Sequence, residues 1–143
     1  MKALKITKIL GGEKVLGGKV QSASDLIPMV RNGLSFESLE AVITGLDLSR
    51  EQVLSALALS PRTIARRKEE SRLTPVESDR VYRLARIAAR AEEVFGDLVK
   101  ARTWMVRPNR ALGNVLPLNL LDTDEGTRQV EAVLGRIEHG VWS

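Results

Sequence analysis

The chain has 143 residues, of which 43% are hydrophobic, 28% are charged and 3% are aromatic. This length suits one domain or two small ones, with a core built mainly from aliphatic side chains. The net charge of +4 is compatible with nucleic-acid binding but does not require it. The chain contains no cysteine, and His139 is its only histidine. These counts exclude disulfides and thiolate metal sites, and they argue against a catalytic triad built on histidine.

The distribution of apolar residues argues against a membrane protein. No apolar run approaches the roughly 20 residues that a membrane-spanning helix needs. Residues 1–20 carry lysines along their length and do not resemble a signal peptide. We expect a cytoplasmic protein without a membrane partner.

Residues 1–24 are rich in glycine and lysine. Two glycine pairs, Gly11–Gly12 and Gly17–Gly18, interrupt helices and permit turns. We predict an irregular arm here, with room for one short strand.

Two helices are predicted between residues 25 and 46. Asp25 is the expected N-cap of the first helix, and Gly33 is its expected end. Ser35 is the expected N-cap of the second. That helix carries apolar residues at the helical period, namely Leu39, Val42, Ile43 and Leu46.

A helix-turn-helix is predicted for residues 49–70, which read SREQVLSALALSPRTIARRKEE. Ser49 and Gln52 have the spacing of a capping box for the first helix. Ser60 caps the second helix, and Pro61 takes its first position, where a missing N–H costs nothing. Two capped helices joined by about three residues are typical of this motif.

The second helix of this pair has the chemistry of a recognition helix. A helix N-terminus attracts phosphate, and arginine is well shaped for a bidentate bond to guanine. We expect Arg67 and Lys68 to contact phosphate. Such contacts contribute to the affinity for DNA but not to its sequence specificity. A helical hairpin with a solvated basic face is the alternative, because charge runs alone are weak evidence. The predicted DNA-binding residues are Ser60, Arg62, Thr63, Arg66, Arg67 and Lys68.

A second domain, residues 73–143, is predicted to follow a first domain of residues 1–72. A capping box at Thr74 begins a long helix that ends at Gly96, and a shorter helix comes next. Residues 107–121 are rich in proline and asparagine, which predicts an extended loop with at most one helical turn. The last helix begins at Asp122 or Thr123.

The motifs of this half resemble the toxin-binding domain of the MbcA/ParS/Xre antitoxins. The front half also resembles the Xre-type members, in GLSFESLEAV and in SPRTIARRKEESRLT. The resemblance covers roughly residues 20–143, with Met105 and Trp142 as small departures from the usual pattern. The motifs of the second half are ESDR at 77–80, W-x-x-x-P-N at 104–109, P-L-x-L-L-D-T-x-x-G at 117–126 and R-I-E-x-G-V at 136–141.

The resemblance implies an all-α antitoxin of a type II toxin–antitoxin system, with no enzymatic activity and no cofactor. It implies a RES-domain toxin as partner, one that consumes NAD or uses it to transfer ADP-ribose, with the antitoxin covering the toxin's NAD-binding cleft. It also implies operator DNA as a second partner and repression of the protein's own operon. Helix-turn-helix proteins usually bind DNA as dimers, so we expect a homodimer within a larger toxin–antitoxin complex. A helix-turn-helix transcription regulator without a toxin partner is the alternative.

Physical reasoning suggests where the toxin is contacted. Val141 and Trp142 follow a helix stop with no evident core to enter, and tryptophan is enriched among interface hot spots. A tryptophan folded back on its own helix is the alternative. Trp104, within a helical pattern, is instead expected in the core. Arg107 and Arg110 lie in a loop, where solvation is the alternative to toxin contact. His139 lies in the last helical turn, where its alternative role is to complement the helix dipole. The predicted toxin-binding residues are Arg107, Asn109, Arg110, His139, Val141, Trp142 and Ser143.

Overall fold

A computed structural model describes residues 2–140 of the chain. Over this range the regular structure is helical, without strands, as the all-α prediction requires. None of the described helices is both long enough and apolar enough to cross a membrane. Short 3₁₀ turns cover Ala23–Asp25, Arg110–Leu112 and Pro117–Leu120. The α-helices are α1 (Lys2–Ile9), α2 (Glu13–Leu16), α3 (Leu26–Asn32), α4 (Phe36–Leu46), α5 (Arg50–Ala56), α6 (Pro61–Glu70), α7 (Pro75–Phe95), α8 (Leu98–Met105) and α9 (Asp124–Glu138).

The 21-residue helix α7 lies at the centre of the fold. It packs against α1, α3, α4, α8 and α9. Neighbours can approach it on several sides because much of its buried surface is alanine. Its buried apolar residues are Val81, Leu84, Ala85, Ile87, Ala88, Ala89 and Ala91. Through α7, the front and back halves of the chain share one continuous hydrophobic core.

The N-terminal segment is helical, so the prediction of an irregular arm with a short strand is wrong. The buried residues Ala3, Ile6, Thr7 and Leu10 follow the 0, 3, 4, 7 spacing of one helix face. That face packs on α7 and α4. The glycine pair Gly11–Gly12 does end the helix, with φ angles of 108° and 90° that favour glycine.

Most helix caps lie where the sequence predicts them, but Asp25 does not cap α3 through its side chain, which instead accepts the N–H groups of Gln21 and Ser22. The Ser49 hydroxyl accepts the Gln52 N–H at 3.0 Å, and the Gln52 side chain accepts the Ser49 N–H at 3.1 Å. Thr74 and Glu77 form the same reciprocal pair at 3.2 and 2.9 Å. Ser35 holds the N-cap position of α4, but its buried hydroxyl has no hydrogen-bond partner. A helix cap contributes about 1 kcal/mol, so α5 and α7 gain stability that α4 does not.

The segment 107–121 has more local structure than predicted. It contains two 3₁₀ turns where we expected at most one helical turn. Asn109 begins the first turn by accepting the Ala111 N–H at 2.9 Å, and its backbone pairs with Val115. Leucines between the prolines and asparagines explain the difference, because their burial ties this segment to the core. The buried leucines are Leu112, Leu118 and Leu121.

Candidate functional site

Helices α5 and α6 form the helix-turn-helix. Ala56 of α5 and Ile64 of α6 are both buried. Leu59 is buried under the turn, and its N–H donates to the Leu54 carbonyl at 2.9 Å. Ala58 has a φ of 55°, a left-handed conformation that residues other than glycine rarely adopt. The turn is therefore tight, and it holds α6 in a defined orientation against α5.

The N-terminus of α6 is capped, and exposed basic residues lie along the helix. The Ser60 hydroxyl accepts the Thr63 N–H at 3.1 Å and donates to the Thr63 hydroxyl at 3.0 Å. Arg62, Arg66 and Lys68 are exposed. Within residues 2–140, none of these three cations lies in an ion pair. Helix α6 thus presents three free positive charges on one short element.

Arg67 lies on a different side of α6 and pairs with carboxylates. Its Nε donates to Glu77 at 2.7 Å, and its Nη1 donates to Glu70 at 3.0 Å. Only 15% of the Arg67 side chain and 8% of the Glu77 side chain are exposed. Burial is the largest influence on the pKa of Glu77 and raises it. The hydrogen bonds from Arg67 and Thr74 together outweigh burial, and the pKa lies below its usual value. This contact links the end of α6 to the start of α7.

The arginines of α7 are engaged in internal contacts. Arg80 donates to the Leu57 carbonyl at 3.3 Å, which connects α7 to the helix-turn-helix. Arg90 binds Glu138 through two hydrogen bonds of 2.7 and 2.5 Å. Two further arginines form ion pairs, Arg83 with Asp79 and Arg86 with Glu131. The basic character of α7 therefore serves packing and adds little to the free charge of the surface.

A shallow groove of about 350 Å³ lies on α8 and the residues after it. Phe95, Val99 and Trp104 supply its apolar lining, with the two aromatic rings 5.6 Å apart between centroids. Trp104 is half-buried, so our expectation of a core residue holds for only part of the side chain. Lys100 and Arg107 also line the groove, and none of the residues that line it is acidic. The groove therefore combines an apolar floor with positive charge.

The structure brings together some of the predicted toxin-binding residues. Arg107 and Asn109 line the groove. Arg110 and His139 are exposed but are not among the residues that line it. The predictions for Val141, Trp142 and Ser143 concern residues outside the described range.

Sequence reasoning missed the contribution of Val99 to this surface. The buried stripe of α8 follows Leu98, Ala101 and Met105, which have helical spacing. Val99 lies off that stripe, and 71% of its surface is exposed. The sequence did carry a signal for this exposure, because Val99 is an aliphatic residue outside the complete buried stripe of α8.

The arrangement supports binding chemistry. Over residues 2–140, no group of three or more histidine or acidic side chains is placed to hold a metal ion. The lowered pKa of Asp25 comes from the backbone N–H groups of Gln21 and Ser22, in a local turn. Hydrogen bonds from Arg90 likewise lower the pKa of Glu138. These shifts belong to caps and ion pairs that support the fold.

Two family models match the chain. The model for the antitoxin Xre-like helix-turn-helix domain matches residues 25–86. The model for the antitoxin Xre/MbcA/ParS C-terminal toxin-binding domain matches residues 90–140. The first match contains α6 with its free cations, and the second contains the whole groove.

Similar proteins agree with these matches. Antitoxin Xre of Yersinia enterocolitica serotype O:8 / biotype 1B is 34% identical over 120 residues, which cover 82% of this chain and 81% of the relative. Antitoxin Xre of Photorhabdus laumondii is 32% identical over 132 residues, which cover 91% and 89%. The Prs ADP-ribosylating antitoxin of Sphingobium sp. is 26% identical over 132 residues, which cover 85% and 83%. The chain therefore belongs to the Xre/MbcA/ParS antitoxins, a family of toxin-binding, non-enzymatic proteins, and carries the Xre-like helix-turn-helix.

Proposed function

We propose that this antitoxin neutralises a RES-domain toxin that consumes NAD or transfers ADP-ribose from it, by covering the toxin's active-site cleft. We further propose that it represses its own operon. The observation that carries the proposal is the presence of an Xre-like helix-turn-helix and a toxin-binding domain in one chain. The name of the Sphingobium relative, Prs ADP-ribosylating antitoxin, supports a toxin with ADP-ribose chemistry.

Operator binding is assigned to residues 1–72, with α6 as the recognition helix. Arg62 and Arg66 lie one turn apart and are free to reach base edges or phosphates. Lys68 adds a phosphate contact, and the capped start of the helix at Ser60 and Thr63 favours phosphate as well. One chain reads one half-site, and a homodimer reads the whole operator.

Arg67 has a structural role in this proposal. Its guanidinium already binds two carboxylates, so moving it to a phosphate would leave Glu77 buried without its partner. The remaining cations of α6 supply the contacts to DNA.

Toxin binding is assigned to residues 73–143. Arg107 and Asn109 contribute through the groove, and Arg110 and His139 contribute from exposed positions outside it. The tail residues 141–143 supply the apolar end of the contact, with Trp142 as its anchor.

Co-expression with the product of the adjacent reading frame tests the proposal. We expect a stable complex, rescue of growth from an otherwise lethal neighbour, and loss of the NAD consumption that the neighbour causes alone. A harmless neighbour that forms no complex would refute the toxin partnership and leave a helix-turn-helix regulator. A neighbour that is lethal without affecting NAD or ADP-ribosylation would refute the assigned toxin chemistry alone.

A further inference from the structure

The groove on α8 has the features of a docking site. We propose that it receives an acidic segment of the toxin that inserts one large apolar side chain between Val99 and Trp104. This proposal rests on the toxin partnership described above and names the part of the toxin that the groove accepts, separately from the C-terminal tail.

The apolar part of the groove is exposed yet held in place. Val99 is 71% exposed, the largest value among the exposed large hydrophobic residues of the described chain. Trp104 packs at a tilt of 39° against Phe95, which fixes the orientation of its ring. Single exposed hydrophobic residues are common on protein surfaces, and here Val99 is joined in one groove by the half-buried rings of Phe95 and Trp104. A rigid tryptophan beside an exposed valine loses little conformational entropy on binding, as expected of an interface hot spot.

The charge of the groove indicates what kind of partner it accepts. Elsewhere in the toxin-binding range, Arg90 is matched by Glu138 and Arg128 by Asp124. Lys100 and Arg107 are exposed, and neither side chain forms an ion pair within residues 2–140, while the Asp97 carboxylate accepts the backbone N–H of Lys100 at 2.7 Å. Two unmatched cations beside an apolar floor favour a partner that brings its own acidic residues.

A second copy of the chain fits this surface poorly. A symmetric contact through the groove would bring the Lys100 and Arg107 side chains of both copies to one interface, where like charges repel. A small molecule also fits poorly, because the groove is too shallow to bury most of a ligand surface. The toxin remains as the occupant, since the whole lining lies within the toxin-binding match.

Charge substitutions test this site without disturbing the fold. Val99→Asp places a carboxylate in the first turn of α8, where it complements the helix dipole. The double variant Lys100→Glu/Arg107→Glu reverses the charge of the groove. Val76→Asp is the matched control, because Val76 is 64% exposed and lies outside the groove. The double variant Lys14→Glu/Lys19→Glu is the charge control, because both lysines are exposed and lie outside the groove.

Binding to the purified product of the adjacent reading frame is measured by calorimetry. We expect at least a tenfold rise in Kd for Val99→Asp and for the double variant, and no more than a twofold change for either control. The loss in the double variant should shrink at high salt, because exposed charges are screened. Groove variants that bind like the unaltered chain would overturn the docking site while leaving the toxin partnership intact.

A spectroscopic measurement separates the groove from the tail. The chain contains two tryptophans, so 5-fluorotryptophan labelling gives two ¹⁹F resonances, and Trp142→Phe identifies that of Trp104. Unlabelled toxin should shift the Trp104 resonance, whereas a shift of Trp142 alone would overturn the proposal. The molecular mass of the isolated chain is also measured by sedimentation. If Val99→Asp changes this mass, the groove is an interface between copies of the chain, and the proposal is overturned. Failure of the unaltered chain to form any complex would refute the toxin partnership together with the docking site.

Discussion

Gly126 is the residue at which a single methyl group should do the most damage to the toxin-binding half. It lies in the first turn of α9, where its N–H donates to the Thr123 hydroxyl at 3.0 Å. A Cβ at this position would overlap the carbonyl oxygen of Leu120 and lie 2.9 Å from the carbonyl carbon. That obstacle is backbone, and the burial of Leu118 and Leu121 holds it in place. The glycine of the P-L-x-L-L-D-T-x-x-G motif therefore allows α9 to begin directly against the preceding 3₁₀ turn.

The magnitude follows from two opposing effects of Gly126→Ala. Overpacking costs about 1–3 kcal/mol, and a clash with fixed backbone belongs at the upper end. Alanine also raises the free energy of unfolding by up to about 1 kcal/mol, because it lowers the conformational entropy of the unfolded chain. The expected net loss is about 2 kcal/mol in the free energy of unfolding, or a fall of roughly 6 °C in Tm for a domain of this size.

Gly135→Ala provides the matched control on the same helix. A Cβ at Gly135 would meet nothing within 4 Å, so the variant should gain about 0.5–1 kcal/mol. Urea unfolding followed by circular dichroism at 222 nm measures both variants. Equal stability of the two variants would contradict the close approach of α9 to Leu120.

Three further predictions concern the DNA surface, the tail and the ion pair between α6 and α7. Arg62→Ala or Arg66→Ala should weaken binding to the upstream operon DNA by about 1–3 kcal/mol if the arginine reads a base, with toxin binding unchanged. Unchanged mobility shifts at fixed salt would remove these residues from the DNA site. Deletion of 141–143 should weaken neutralisation and spare DNA binding, and equal loss of both would argue against separate roles. The lowered pKa of Glu77 adds stability above the usual glutamate pKa range, and this is lost as the pH falls through the lowered pKa. In Glu77→Gln the urea midpoint should lose this part of its pH dependence, and a curve identical to that of the unaltered chain would refute it.

The helix starts were predictable because their signals are local. A capping box needs only two side chains three residues apart, so Ser49 with Gln52 and Thr74 with Glu77 are visible in the sequence. The helical N-terminus was missed because its glycine pairs were given more weight than the periodic spacing from Ala3 to Leu10. Those glycines mark where the helix ends, and they say nothing against a helix before them.

The tertiary contacts of charged residues were not predictable from spacing. Arg67 was expected to meet phosphate because it lies in a basic run. Its principal partner is Glu77, which is ten residues away and on another helix. The groove is similar, because Phe95 of α7 meets Trp104 of α8 only after the chain turns at Gly96. Predictions of helices from the sequence are therefore more reliable than predictions of which cations remain unpaired.

The continuous core through α7 has a consequence for the lifetime of the protein in the cell. Neither half alone would bury enough apolar surface for a robust fold, so the chain is expected to unfold as one cooperative unit. A protease that cuts the unfolded chain would then end the proposed operon repression and toxin neutralisation together. The same event would start transcription of the operon and release the toxin. The rate at which new antitoxin is made would then determine how long the toxin stays free.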